Sequence, residues 1–291
     1  GVRWPKMTDP KGNESPSLVG TFLIWQQPHL IYFSELLYRY YKNDIEVLKK
    51  FQPLVEATAD FMASYARWDP AQNRYVLGPA LIPAQECFEP ETTINPAFEL
   101  AYWRWALQTA QEQRVKLGLG IKEKWQQVID HLSPLPVQDG LYLFTENATD
   151  SYTNKFILVD HPMVLGIEGF LPVSERIDKN ILKNTLDAVV LKWDWNTAWG
   201  WDFPMAAMCA TVLNEPDQAI NLLLMNTYKN RYLMNGHNYQ DDNLPLYLPG
   251  NGSLLSAVAF LCNYRNEKGL NGFPSNGKWK VKYENFPQLI K

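Results

Sequence analysis

Helical stripes that come in pairs leave this chain few folds to choose from. Pro28 opens a run in which Leu30, Phe33, Leu36, Leu37 and Tyr40 recur at i, i+3 and i+4 spacing, the mark of one apolar face on a helix. Proline suits a helix start because its missing N–H has no partner there in any case. Asn43-Asp44 breaks the pattern, and a second stripe runs from Ile45 to Arg67 with Val47, Leu48, Phe51, Leu54, Val55, Phe61 and Met62 on one side. So short a gap predicts an antiparallel hairpin. The same reading predicts helices at Pro96–Leu117, Ile121–Leu132, His161–Leu171, Ser174–Leu191, Phe203–Asn214, Pro216–Tyr228 and Ser253–Asn263. Arg74–Leu77, Leu141–Phe144 and Trp279–Tyr283 read as short strands. About nine helices, with short and long connections alternating, point to an all-α, (α/α)6-type toroid in which helix pairs ring an axis and the long loops gather at one end. The toroid is expected over residues 1–268, with an extended tail over 269–291.

The long loops hold most of the chemistry. Residues 1–26 lack helical periodicity, and an irregular stretch of that length in a compact domain is usually functional. It carries Arg3, Trp4, Glu14 and Trp25, and Gln27 and His29 follow at the mouth of the first helix. A second loop, Leu81-Ile82-Pro83-Ala84-Gln85-Glu86-Cys87-Phe88, places one carboxyl among apolar neighbours. Desolvation raises the pKa of such a carboxyl, which suits a general acid; a solvated loop Glu is the plainer reading. A third, at 192–202, holds Trp193, Asp194, Trp195, Trp199, Trp201 and Asp202. A fourth, at 229–252, holds His237, Asp241, Asp242 and Gly250-Asn251-Gly252.

Cleaving a sugar bond takes two carboxyl groups flanking it, one giving a proton and the other acting as base or nucleophile. Glu86 is the candidate donor, and Asp202 or Asp242 the candidate second group. Asp202 directly precedes a helical pattern and fits an N-cap equally well. Asp241-Asp242-Asn243 also fits a solvated turn. Trp4, Trp25, Trp193, Trp195, Trp199 and Trp201 either stack on a sugar or pack the loops, and both uses are expected. Arg3 is a candidate for a sugar hydroxyl or a site carboxylate. Asn251 lies in a Gly-rich turn that reads as a helix entry.

Composition narrows the partner classes. Lys and Arg number 27 against 31 Asp and Glu, a net charge of −4 with no basic patch, so nucleic acid is not an expected partner. No apolar run approaches the ~20 residues of a membrane span. Cys87, Cys209 and Cys262 lack paired spacing, and His29, His131, His161 and His237 make no metal motif; no disulfide framework, metal or cofactor is expected. Eleven Trp and 15 Tyr lean weakly toward a carbohydrate site.

Several segments, in order, resemble glycoside hydrolase family 65 and its relatives among the six-hairpin toroid glycosidases. Gly1-Val2-Arg3-Trp4-Pro5 and Gly12-Asn13-Glu14 are similar to that family's opening stretches. His29 to Tyr41 follows the pattern of the next helix. Pro83-Ala84-Gln85-Glu86-Cys87 falls where the family has Gly-Pro-Asp-Glu-Tyr, whose Glu is the general acid, and Asn95-Pro96-Ala97-Phe98 resembles the start of the following helix. Gly250-Asn251 falls where the family has Gly-Asn before its last helix. The resemblance implies a carbohydrate substrate, an inverting acid/base hydrolase, and further helices and a β-sandwich domain upstream of Gly1. If the source is bacterial it implies a periplasmic or secreted location and a role in polysaccharide degradation.

Two departures bear on the reaction. Ala198-Trp199-Gly200-Trp201 replaces the family's phosphate-binding stretch and its Ser pair, which argues against phosphorolysis. Pro249 stands where fucosidase-type relatives have an Asp, so the base is not carried over. A carbohydrate-binding homologue without turnover is the alternative, ahead of a disaccharide phosphorylase. A purely structural or partner-binding toroid is a third class.

Overall fold

The computed structural model describes residues 1–284 apart from Ser15, Leu18, Val173 and Glu175. Among these residues it has eight α-helices, one 3-10 turn and three pairs of very short strands. The chain divides into two compact units, Gly1–Val137 with Leu143–Thr149, and Gln138–Tyr142 with the chain from Asp150 onward.

In the first unit, α1 (His29–Tyr40) packs on α2 (Ile45–Tyr65), and α2 packs on α3 (Ala97–Lys116), which in turn meets α4 (Glu123–His131). Asp44 caps α2 by accepting the Glu46 N–H at 3.0 Å, and Pro53 is accommodated inside that helix. The expected stripe of α1 does not face the core: Phe33, Leu36 and Tyr40 are exposed, and Ile31, Ser34 and Glu35 are the buried residues. The core holds Ile31, Val55, Met62, Leu100, Trp103, Trp125 and Val128, all at most 3% exposed. Buried indoles need a partner for their N–H. Trp103 donates to the Met62 carbonyl at 3.0 Å and Trp125 to Asp60 at 2.8 Å. β1 (Arg67–Asp69) and β2 (Arg74–Val76) form an antiparallel hairpin in the register Arg67↔Val76. β3 (Val137–Gln138) and β4 (Leu141–Tyr142) lie where the chain passes from one unit to the other.

The second unit is built around α6 (Asp202–Val212), every residue of which is buried. A helix apolar all round belongs in the middle of a core. Around it lie α5 (Lys179–Lys192), α7 (Pro216–Leu223) and α8 (Leu248–Asn263). β5 (Arg231–Tyr232) and β6 (Asn238–Tyr239) form a second antiparallel hairpin.

Several sequence expectations change here. His161–Leu171 is not a helix; only Met163–Ile167 turns, as a 3-10 segment. Pro162 disfavours helical backbone at His161. Gly169, at φ +91°, then turns the chain so closely against α6 that an added Cβ would lie 2.6 Å from the Met208 carbonyl oxygen. The expected Ser174–Leu191 helix begins at Lys179, where Asp178 accepts the Asn180 and Ile181 N–H groups at 2.8 and 3.2 Å. α7 stops at Leu223 rather than Tyr228, because the Asn230 side chain caps the Leu223 and Met225 carbonyls at 3.0 Å. α8 starts at Leu248, with Pro249 in its first turn, so Gly250-Asn251-Gly252 lies within the helix. Ser253 does not cap it and donates instead to the Trp201 carbonyl at 3.0 Å. Trp279–Tyr283 forms no strand, and residues 285–291 of the expected tail lie outside the described residues.

Candidate functional site

Glu86 stands at the end of a loop fixed almost residue by residue. The Leu81 N–H donates to the Pro90 carbonyl at 3.1 Å, and the Ile82 N–H to the Phe22 carbonyl at 3.1 Å. Tyr65 of α2 donates its hydroxyl to the Ala80 carbonyl at 3.0 Å. The Ala84 N–H donates to Glu99 Oε1 at 2.6 Å. Leu81 to Gln85 are buried, and the Glu86 side chain emerges 28% exposed. It is not enclosed by apolar groups alone, as the sequence suggested, but ion-paired with Lys6 of the N-terminal strap.

That strap is held from below. Gln27 is fully buried, and its amide accepts the Trp4 N–H and donates to the Trp4 carbonyl, each at 2.7 Å. The Trp4 indole N–H reaches Thr58 Oγ1 at 3.0 Å, and Arg3 binds the Gly20 and Thr21 carbonyls. Glu14 pairs through its backbone with Thr8 and is exposed. His29 shares a hydrogen bond of 2.9 Å with the Tyr102 hydroxyl, and burial pulls its pKa down to about 4, so it is neutral at pH 7.

Glu99, in the first turn of α3, is 1% exposed, and burial pushes its carboxyl up to about 7 against the partial relief of the Ala84 N–H. A carboxyl raised in the folded state keeps its proton after the unfolded chain has lost it. Stability therefore falls as pH rises from about 4.5 to about 7 and is level above. The loss is about 3 kcal/mol for a rise of this size. Urea unfolding across that range should show it, and Glu99→Gln should flatten the dependence.

In the second unit His161 lies between two carboxylates. Its Nδ1 is 2.9 Å from Asp202 Oδ1, and its Nε2 is 3.8 Å from Asp160 Oδ1. The other Asp202 oxygen accepts the Trp199 N–H at 2.7 Å, and the Trp199 indole N–H donates to Asp160 at 2.7 Å. The imidazole centroid is 4.7 Å from the Trp201 ring and 5.7 Å from the Trp199 ring, and Trp199 meets Tyr247 at 5.4 Å. Asp202 is fully buried, and desolvation raises its pKa although His161 acts against it. An ionised Asp202 accepts the Nδ1 proton and leaves Nε2 facing Asp160.

Gln240 clamps the loop bearing these groups, accepting the Gly200 N–H at 3.0 Å and donating to the Ala198 carbonyl at 3.2 Å. Beside it, Asn238 fills the space against Gly200 and Gly250. A Cβ on either glycine would lie 1.9 or 2.2 Å from Asn238 Oδ1.

No protein-family model matches the chain, and no curated protein matches it in sequence. A solved structure does match it: "Putative kojibiose phosphorylase from human microbiome", with a TM-score of 0.61 at 10% identity over 91% of this chain. The fold is all-α and of the toroid type. The chain spans 43% of that protein's length. The resemblance to the toroid glycosidases thus holds at the level of the fold.

Against that fold, the residues expected to act divide clearly. Glu86 is anchored and open to solvent on one side. Asp202 has both oxygens engaged and no exposed surface, so it orients His161 and is not presented to water. Asp202 is not the N-cap either, since α6 begins at it and its carboxylate turns back to the Trp199 N–H. Asp242 is exposed and accepts the Tyr239 hydroxyl. Gln27 has no exposed surface and serves the strap. The Asn251 amide accepts the Asn238 N–H at 2.9 Å and donates to the Gly236 carbonyl at 2.7 Å. Trp193 and Trp195 pack the loop, donating to the Asp160 and Val190 carbonyls. Lys6, Glu99, Asp160 and His161 escaped sequence reasoning. For His161 there was a signal: an Asp-His pair directly before a proline is poorly placed to start a helix.

Among the described residues no group of His, Cys, Asp and Glu could hold a metal ion, and no helix is long and apolar enough to cross a membrane.

Proposed function

We propose that this chain is a glycoside-active enzyme that hydrolyses O-glycosidic bonds, with Glu86 as proton donor to the leaving oxygen. The observation that carries the reading is the placing of Glu86: a half-open carboxyl on a loop pinned at Ala80, Leu81, Ile82 and Ala84. Positioning of this kind is what makes a side chain useful as a general acid. The sequence context of Glu86, Pro83-Ala84-Gln85-Glu86-Cys87, resembles the stretch in which toroid glycosidases carry their acid, and this supports the reading. The Lys6 ammonium fixes where the Glu86 carboxyl lies. Likeness to an enzyme of the toroid glycosidase class supports carbohydrate chemistry, and the missing Ser pair at 198–201 favours water over phosphate as acceptor.

The test is a panel of aryl glycosides and disaccharides assayed with and without inorganic phosphate. Release of free sugar at a rate independent of phosphate, with the anomer inverted in the first NMR spectra, is the expected result. A strict need for phosphate, with sugar phosphate as product, is what the likeness to a kojibiose phosphorylase would favour, and it would overturn hydrolysis. Binding without turnover across the panel would leave a carbohydrate-binding homologue.

A further inference from the structure

We propose that Glu99 is a positioning residue for Glu86, holding the acid loop through the Ala84 N–H. The inference rests on the assignment of Glu86 as proton donor. The Ala84–Glu99 bond ties the loop to α3 two residues before the carboxyl, downstream of the anchors at Ala80, Leu81 and Ile82. It is short, 2.6 Å, and comes from a side chain 1% exposed on α3, a helix packed into the core. A backbone N–H in that position has no water to turn to, so losing the acceptor would leave a buried donor orphaned and the loop free to shift.

Glu99 is otherwise an expensive group to keep. Its Oε2 is buried with no hydrogen-bond partner among the described residues. A leucine there would pack without that cost, and a carboxyl strongly perturbed by burial is a functional-site candidate. The titratable groups around it are Tyr65 on α2, which feels the Glu99 charge, Arg3 of the strap beside Tyr65, the Lys6–Glu86 pair at the end of the loop, and the His29–Tyr102 pair one helical turn on. His29 is neutral above about pH 4, Tyr65 is pushed up to about 12, and Arg3 donates to backbone carbonyls. Glu99 is raised to about 7, so its own charge changes within the pH range over which turnover is measured. Its ionisation turns the Ala84 bond from a neutral into a charge-assisted one, which is stronger and shorter.

The experiment compares wild type with Glu99→Gln, Glu99→Leu and Glu86→Gln, measuring kcat and KM from pH 5 to 9 on a glycoside found in the panel. Glutamine keeps the acceptor and cannot ionise. Glu99→Gln should match wild type well below pH 7 and part from it above. Glu99→Leu should lower kcat about tenfold to a hundredfold with a smaller change in KM, the size expected when a catalytic group is slightly misplaced. The Ala84 amide proton, followed by NMR, should titrate near pH 7 in wild type and stay fixed in Glu99→Gln; this reading does not need the leucine variant to fold. If Glu86→Gln is inactive while both Glu99 variants keep the wild-type kcat and pH profile, the positioning role is refuted and the donor assignment stands. An Ala84 amide that does not move with pH in wild type also refutes it. If Glu86→Gln turns over like wild type, the donor assignment falls and takes this inference with it.

Discussion

Glu86→Gln should lower turnover of an unactivated glycoside by about 10²–10⁴-fold, with the unfolding midpoint little changed. The amide occupies the same volume and still meets Lys6, but it has no proton to give. The loss should depend on the leaving group. An alkoxide departing from a disaccharide needs its proton early, whereas fluoride or a dinitrophenolate leaves without one. Glycosyl fluorides should therefore retain most of their rate in the variant, and alkyl glycosides should lose nearly all of theirs. A uniform loss across leaving groups would point to a binding role for Glu86. Because Lys6 holds the carboxylate from the strap, Lys6→Ala should act in the same direction and less strongly, through the orientation of Glu86.

Asp202→Leu should destabilise the second unit by about 3–5 kcal/mol, the cost of removing one member of a buried polar pair. It strands two groups at once, His161 Nδ1 and the Trp199 N–H, both of which end on this one carboxylate. Asp202→Asn should cost less, about 1–3 kcal/mol, since one amide oxygen still accepts the Trp199 N–H. Its NH2 group then faces His161 Nδ1 and forces the ring proton to Nε2. Nitrogen-15 shifts of the imidazole would register the change of tautomer, and urea unfolding would give the two stability losses. Equal and small losses in both variants would show that Asp202 does not organise this corner.

The fold was largely open to reading because it rests on periodic apolar stripes. α1 to α4 lie within a few residues of where the pattern put them; α2 buries its stripe residues Val55 and Met62, whereas α1 turns Phe33, Leu36 and Tyr40 of its expected stripe outward. The misreadings have local causes. Pro162, Gly166 and Gly169 interrupt an apolar run that in composition alone looks helical, and Gly250-Asn251-Gly252, which reads as a turn before a helix, lies inside α8. The site was harder. Glu86 could be picked out by its loop, but Glu99 in a helix's first turn looks like an ordinary acid answering the helix dipole. Its burial depends on Ala84, fifteen residues away, and on the packing of α3. His161 and Asp202 are 41 positions apart, and only the turn at Gly169 and the burial of α6 bring them into contact.

Asn238 carries a consequence for how this chain can vary. Its side chain lies against the backbone of both Gly200 and Gly250, so a methyl group at either position would collide with the same amide. The three positions are coupled: alanine at 200 or 250 requires the Asn238 amide to move or to be exchanged for something smaller. Alanine at either glycine should lower the unfolding midpoint in the presence of Asn238, and by less when Asn238 is replaced by a smaller residue.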